Sequence, residues 1–395
     1  MAKGGRYADK SKNVLRSGDR VKHGAAAVQD MPVSGEKKKG NKKKIVAIVL
    51  VALALLLVVG IGVGVWYYNH LLNMVTRPEQ ITMPSMPTMS AEEEMEMLGT
   101  LPPETSPEDT WPVIVSDQNI TNIMLVGQAA RVGEDYRLSD SMILCSINRE
   151  TKTLTLTSFM RDMRVVVPAY AGHTQGFSRM NVCYHLGSHW TGEVKGSMEM
   201  LAMAVEQNFG VHVDHTVEVN FDAFKKVVDL LGGVEVDLSE AEAKHMTVDL
   251  AYKKLGTFEP GVQVLDGRQA LAYARIRKID NDVNRTNRQR LVIISLLKSL
   301  MSKGIIEIND LFKEVLPYFI TDMSNEEITN YAFEFIPMLT SIEIKSQSVP
   351  FEGTYNYTNI GTSETPDYVV DANLKKNGEM LRESLGIVPA EDAAK

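Results

Sequence analysis

Apolar positions in this chain fall into three regimes. Residues 45–68 form an uncharged run of 24 residues, IVAIVLVALALLLVVGIGVGVWYY. At about 1.5 Å per helical residue, such a run outreaches the hydrocarbon core of a bilayer. Trp66, Tyr67 and Tyr68 make an aromatic girdle at its far end, and Lys37 to Lys39 and Lys42 to Lys44 flank its near end. The pattern predicts one signal-anchor transmembrane helix, with residues 1–44 cytoplasmic and the remainder extracytoplasmic. The run is too long for a cleaved signal peptide, and no small-residue cleavage site follows it. In the second regime, seven of the fifteen prolines lie between residues 76 and 118, beside the acidic run Glu92, Glu93 and Glu94. Residues 69–118 therefore read as an extended spacer.

In the third regime, from residue 119 onward, short apolar runs alternate with longer periodic stretches. Residues 120–126, 141–147, 154–159, 216–219 and 234–238 read as strands. Residues 195–209, 222–231, 266–273 and 291–301 read as helices. Phe221, Phe224, Val227, Val228 and Leu231 form one apolar stripe, and Gly232 with Gly233 ends that helix. Ser324 and Glu327 make a capping box opening another helix, through residue 335. This alternation predicts an α/β fold, a three-layer-like sandwich around a central mixed sheet. Residues 119–304 would form its main part and residues 305–364 its closing part. Residues 365–395 would form a peripheral tail.

Charge divides the chain at the apolar run. Residues 1–44 hold 13 of the 42 Lys and Arg but only 4 of the 50 Asp and Glu, leaving 29 basic against 46 acidic residues in the rest. The Lys-, Gly- and Ser-rich tail reads as disordered. A body that acidic is a poor nucleic-acid binder, because phosphate neutralisation dominates such affinity. Arginines clustered on it point instead to a small, focused anion site. Cys145 and Cys183 are the only cysteines, the first in a strand-like run and the second in a polar loop motif. They are either two buried thiols or one disulfide. The pairs His185/His189 and His212/His215 have metal-like spacing but lack a third ligand.

The densest chemistry lies in Ala272-Tyr273-Ala274-Arg275-Ile276-Arg277 and Asp282-Val283-Asn284-Arg285-Thr286-Asn287-Arg288-Gln289, just before a long apolar helix. Guanidinium forks bind phosphate oxygens bidentately, and several converging forks suit a pyrophosphate. Arg285 and Gln289 are four apart and share a helical face. Arg288 and Arg290 then point elsewhere, to the surface. Arg275 and Arg277 are two apart, so only one faces a pocket if the backbone there is extended.

These segments occur with others in a fixed order. They are Asn122-Ile123-Met124-Leu125-Val126-Gly127, Arg137-Leu138-Ser139-Asp140-Ser141, Ser158-Phe159-Met160-Arg161-Asp162 and Arg179-Met180-Asn181-Val182-Cys183-Tyr184. Over residues 122–300 the chain resembles the LytR-CpsA-Psr family of cell-envelope proteins. The resemblance implies an α/β protein with a pocket for a polyprenyl tail and arginines that hold its pyrophosphate. It implies transfer of a glycopolymer from a polyprenyl-pyrophosphate carrier to peptidoglycan, assisted by magnesium or manganese, without a nucleotide cofactor. By the same resemblance, Arg161, Arg275, Arg277 and Arg285 are catalytic, and Asp140 is both catalytic and the metal carboxylate. Arg131, Arg137, Arg179, Asn181 and Gln289 would bind substrate. The family's first loop reads G-x-D-x-R, whereas this chain has Gly127-Gln128-Ala129-Ala130-Arg131. A methyl group cannot ligate a cation, so Gln128, Glu134 or Asp135 would have to supply oxygen, or Asp140 acts with water and phosphate alone. Three readings follow: a transferase with a reduced metal site, a lipid-pyrophosphate binder, and a membrane-anchored scaffold.

Overall fold

The structure is a computed structural model and describes residues 63–81, 92, 97–98, 112–128, 139, 141–249, 252–338, 341–360, 362 and 364–387. Residues 45–62 of the expected anchor lie outside these; residues 63–72 are helical. Among the described residues no helix is long and apolar enough to cross a membrane.

The strands are β1 (Ile120–Gln128), β2 (Ser141–Asn148), β3 (Thr153–Phe159), β4 (Arg164–Val167), β5 (Gly176–Arg179), β6 (His215–Asn220), β7 (Val234–Leu238), β8 (Gly261–Leu265), β9 (Phe319–Thr321), β10 (Glu343–Val349), β11 (Tyr355–Asn359) and β12 (Tyr368–Ala372). The helices are α1 (Met180–Thr191), α2 (Val194–Phe209), α3 (Phe221–Leu231), α4 (Glu240–Val248), α5 (Gly267–Ala274), α6 (Asp282–Met301), α7 (Ile305–Val315), α8 (Asn325–Met338) and α9 (Leu374–Leu385). Six strands form a mixed sheet in the order β10-β3-β2-β1-β6-β9. β1 runs parallel to β6 and β3 parallel to β10, and the other neighbours are antiparallel.

Alternating side chains give this sheet two apolar faces. Met124 and Leu144 are cross-strand partners, as are Leu125 and Ile143. The first pair belongs to the core formed with Tyr184, Leu201, Val205 and Leu381 of α1, α2 and α9. The second pair meets Ile293, Ile294 and Leu297 of α6. The result is a mixed α/β fold with helices on both sides of the sheet. A second core joins α3, α4, α5 and the antiparallel pair β7–β8 through Val228, Val236, Met246, Leu265 and Tyr273.

Three local expectations are corrected. Residues 180–191 are the helix α1, with Cys183 fully buried in it. The motif around Asn181 looked like a loop because its polar positions mask an apolar face of Met180, Val182, Cys183, Tyr184 and Leu186. Cys145 and Cys183 are both free, and burial pushes each thiol up to about 12, so neither is a nucleophile at neutral pH. Within the expected spacer, Leu71, Leu72, Val75 and Ile81 are buried. Leu71 and Val75 pack against Leu316 beside Phe312 and Ile328, which docks this segment onto the body. Residues 365–387 are integral rather than peripheral: β12 pairs with β11, and Leu381 and Leu385 enter the main core. Buried Asn377 stitches this part in, accepting from the Phe351 backbone N–H at 2.7 Å and donating to the Asn373 carbonyl at 2.8 Å.

The helices α1 and α2 approach so closely that only glycine fits at the contact. A Cβ on Gly187 would lie 2.1 Å from the Gly196 carbonyl oxygen. Gly187→Ala is therefore expected to destabilise the fold by about 3 kcal/mol, the upper range for overpacking. A thermal unfolding curve indistinguishable from that of the native protein would refute this.

Candidate active site

An apolar cavity of about 380 Å³ opens between the sheet and the helices α3, α5, α6 and α7. Phe224, Val227 and Leu231 of α3 face it from one side, and Ile293, Leu297 and Leu300 of α6 from another. Leu311, Phe312 and Val315 of α7 close it. The stripe read on α3 explains its position: Val228 turns into the second core, leaving Phe224, Val227 and Leu231 along the cavity. The polar side chains in the lining are Ser141, Arg275 and Gln289. Arg275 caps the C-terminus of α5, and its guanidinium lies 4.7 Å from the centre of the Phe221 ring, another lining residue. Gln289 keeps its amide oxygen buried and without a partner among the described residues.

Two of the expected arginines pair with one carboxylate, and a third acts on it through its charge. Asp282 lies in the first turn of α6. Arg285, one turn later and 3% exposed, approaches it at 2.9 and 3.0 Å. Arg277 reaches it at 3.6 Å from the linker after α5. Arg161, just after β3, holds Asp162 at 3.2 Å, and its positive charge also acts on Asp282. Burial raises the Asp282 carboxyl above its ordinary range, against the downward pull of Arg285, Arg161 and Arg277. Asp282 had only a weak signal in the sequence: an acidic residue three positions before Arg285, in a helix whose start was read too late.

The pKa direction has a testable consequence. As pH rises past the ordinary carboxylate range, unfolded Asp282 loses its proton before the folded residue does. The native state is then penalised, fully so above the folded pKa. Asp282→Asn, which cannot ionise, is expected to gain stability relative to the native protein as pH rises from about 4 toward neutrality, on top of the pH-independent cost of unpairing Arg285. Melting curves of both proteins across that range check this, and a relative stability that does not change with pH, or changes in the opposite sense, would contradict it.

Arg179 and Asn181 belong to a neighbouring shell. Arg179 ends β5 and pairs with Asp367. The Asn181 backbone N–H donates to the Arg161 carbonyl at 3.1 Å, and its side-chain oxygen is buried without a partner among the described residues. Arg131, Arg137 and Asp140 lie outside the described residues, as does Ala129.

Arg288 and Arg290, expected at the surface, are 3% and 6% exposed. The reason is that α6 is covered on more than one side. Arg288 donates to Asp280 at 2.7 Å, to Glu242 at 3.1 Å and to the Ile276 carbonyl at 2.8 Å, tying together the segments that carry Arg277 and Asp282. Arg290 donates to the Ser348 hydroxyl of β10 at 2.8 Å, and burial lowers its guanidinium to about 10. It remains charged at neutral pH.

An apolar cavity with Arg275 in its lining, and Arg277 and buried Arg285 on neighbouring turns, suits an anionic head with a hydrocarbon tail. A family model described as LytR_cpsA_psr family matches residues 88–376. The chain belongs to the LytR_cpsA_psr family. Among its relatives is polyisoprenyl-teichoic acid–peptidoglycan teichoic acid transferase TagT of Bacillus subtilis (strain 168), 30% identical over 66% of this chain and 75% of TagT. TagU of Oceanobacillus iheyensis, named for the same transfer, is 29% identical over 62% of this chain and 72% of its own. The regulatory protein MsrR of Staphylococcus aureus is 23% identical over 69% of this chain and 76% of its own. A solved structure of TagT bound to LI-WTA superposes with a TM-score of 0.52 at 25% identity, covering 68% of this chain and 92% of that one.

A cation in this family member would have to be held without an aspartate at position 129. Among the described residues no group of three or more His, Cys, Asp or Glu is placed to hold a metal. At the end of β1, however, Gln128 is fully buried, with neither side-chain amide atom partnered among the described residues. An orphaned carbonyl oxygen there suits a hard cation, which accepts neutral oxygen donors beside a carboxylate.

Proposed function

We propose that this protein is a membrane-anchored, extracytoplasmic transferase that moves a glycopolymer from a polyprenyl-pyrophosphate carrier to peptidoglycan. The observation carrying this reading is an apolar cavity with Arg275 and Gln289 in its lining, Arg275 two residues from Arg277 and Gln289 one helical turn from Arg285, both of which pair with Asp282. The cavity takes the polyprenyl tail, whose burial supplies most of the affinity. Arg161, Arg277 and Arg285 take the pyrophosphate oxygens, and their rigid placement stabilises charge as the phosphoryl group transfers. Asp282 holds the forks in place before substrate arrives. A hydroxyl of the glycan acceptor attacks the phosphorus that carries the sugar. The anhydride P–O bond breaks, and polyprenyl phosphate leaves. The hydroxyl proton passes to a nearby carboxylate, of which Asp162 and Asp282 are the described candidates. Asp140 and Gln128 would hold a magnesium or manganese ion, which would neutralise phosphate charge. Residues 1–44 lie in the cytoplasm, and residues 45–68 span the membrane once.

The test is release of polyprenyl phosphate by the full chain in nanodiscs, offered a short lipid-pyrophosphate oligosaccharide, peptidoglycan fragments and magnesium or manganese. Metal-dependent release supports the transferase. Ala129 favours a second reading, a lipid-pyrophosphate binder that has given up catalysis. That reading predicts a silent native protein that Ala129→Asp awakens.

A further inference from the structure

The hairpin β11–β12 carries aromatic side chains that the fold does not need. Tyr357 is 54% and Tyr368 58% exposed, although exposing such rings to water forgoes the burial they would gain in a core. Register puts them together. Tyr357 pairs with Val370 and Asn359 with Tyr368, so the two tyrosines are diagonal neighbours on one face. Tyr355 lies on the same face, with its ring 5.9 Å from that of Tyr357 and nearly perpendicular to it. The inner end of this face is fixed, because Tyr355, Val370 and Ala372 pack in the main core. The outer end is left open.

This shelf is attached to the arginine site. The Val370 backbone N–H donates to the Asp162 carbonyl at 2.9 Å, and Val370 bridges Met163. Tyr357, opposite Val370, therefore stands two strand spacings, about 10 Å, from the backbone of residues 162 and 163. A tyrosine side chain crosses much of that distance. Partial burial raises the Tyr357 hydroxyl pKa, with smaller contributions from Tyr355 and from the negative charges of Asp282 and Asp162. A second tie comes from Asp367, next to Tyr368, which pairs with Arg179.

We propose that the Tyr357–Tyr368 face of the β11–β12 hairpin is the subsite for the first sugar rings beyond the pyrophosphate. The inference rests on the transferase reading and deepens it. A pyranose has an apolar C–H face and a polar rim. An exposed aromatic ring receives the former, and the hydroxyls remain in water. With the tail in the cavity and the pyrophosphate on Arg161, Arg277 and Arg285, the glycan must leave the anion site by an open side. A rigid tyrosine shelf about one sugar away is placed to receive it. The chemical class recognised is a neutral or amidated hexose, through ring contact rather than charge.

The experiment compares binding of the full chain in nanodiscs to a short polyprenyl pyrophosphate, bare and bearing an N-acetylhexosamine disaccharide. The native protein should bind the sugar-bearing lipid about tenfold more tightly, the scale of one or two aromatic contacts. The double variant Tyr357→Ala/Tyr368→Ala should lose that preference and keep its affinity for the bare lipid. Tyr357→Phe/Tyr368→Phe should retain most of it, since the ring faces remain. Both positions are exposed, so folding should tolerate the changes, and melting curves check this. Equal binding of the two lipids by the native protein, or a preference that survives the double alanine variant, would overturn the subsite. Binding of neither lipid would defeat the transferase reading itself, and the subsite with it.

Discussion

Replacing Arg161 by alanine is expected to lower polyprenyl phosphate release by about a thousandfold, while the affinity for the lipid substrate changes little. Arg161 has the least replaceable position in the cluster. It follows the sheet strand β3, its carbonyl accepts from the Asn181 backbone N–H, and the adjacent Met160 N–H donates to the Val349 carbonyl of β10. A guanidinium on so rigid a mount is aimed before the reaction begins. Fixed positive groups at a transferring phosphoryl centre contribute roughly two to five orders of magnitude in rate. Ground-state affinity should persist because the tail remains in the cavity and Arg277 and Arg285 remain beside the head. Turnover and lipid binding measured on the same variant separate these effects. An Arg161→Ala protein that turns over at the native rate would remove the arginine cluster from the mechanism.

The second large effect concerns the cavity. Val227→Trp would place an indole in space bounded by Ile293, Leu297 and Leu300. Each polyprenyl methylene kept out forfeits about 0.8 kcal/mol. Displacement of two or three predicts a loss of affinity of roughly fifteen- to sixtyfold for long-tailed pyrophosphates. Inorganic pyrophosphate, which has no tail, should bind as before. An equal loss for both ligands would mean that the indole had disturbed the arginines, and no loss for either would mean that the tail lies elsewhere.

Much of this architecture was legible because its signals are local. Strands β1, β2, β3 and β7 lie within two residues of the expected runs, and the Gly232-Gly233 stop ends α3 at Leu231. The start of α6 was not legible. Its first two turns are charged and polar, so the helix read as beginning at residue 291, whereas Asn281 caps it at Asp282 through the Asn284 N–H. That error hid the geometry at Asp282, which depends on the helical spacing of Arg285. Arg288 and Arg290 were placed at the surface because they lie off the helical face of Arg285 and Gln289, whereas their burial comes from ion pairs and hydrogen bonds to distant segments. The tyrosine shelf was equally silent, since nothing in the sequence of β12 says that it will lie beside Asp162.

The strand that carries Arg161 to its place borders β10, and the residue after Arg161 is held by β12. Both partners come more than 180 residues later in the chain. Loops of that size close slowly, and their pairings form late. A growing chain that has reached α6 would already contain every arginine of the cluster, yet would lack the strand β10 that pairs with β3 along its whole length. Activity should therefore appear in a single step, after residues 343–372 have been made. A nascent or clipped chain ending before them would be inert toward lipid-linked sugars, and its uncovered strand edge would make it a good client for chaperones.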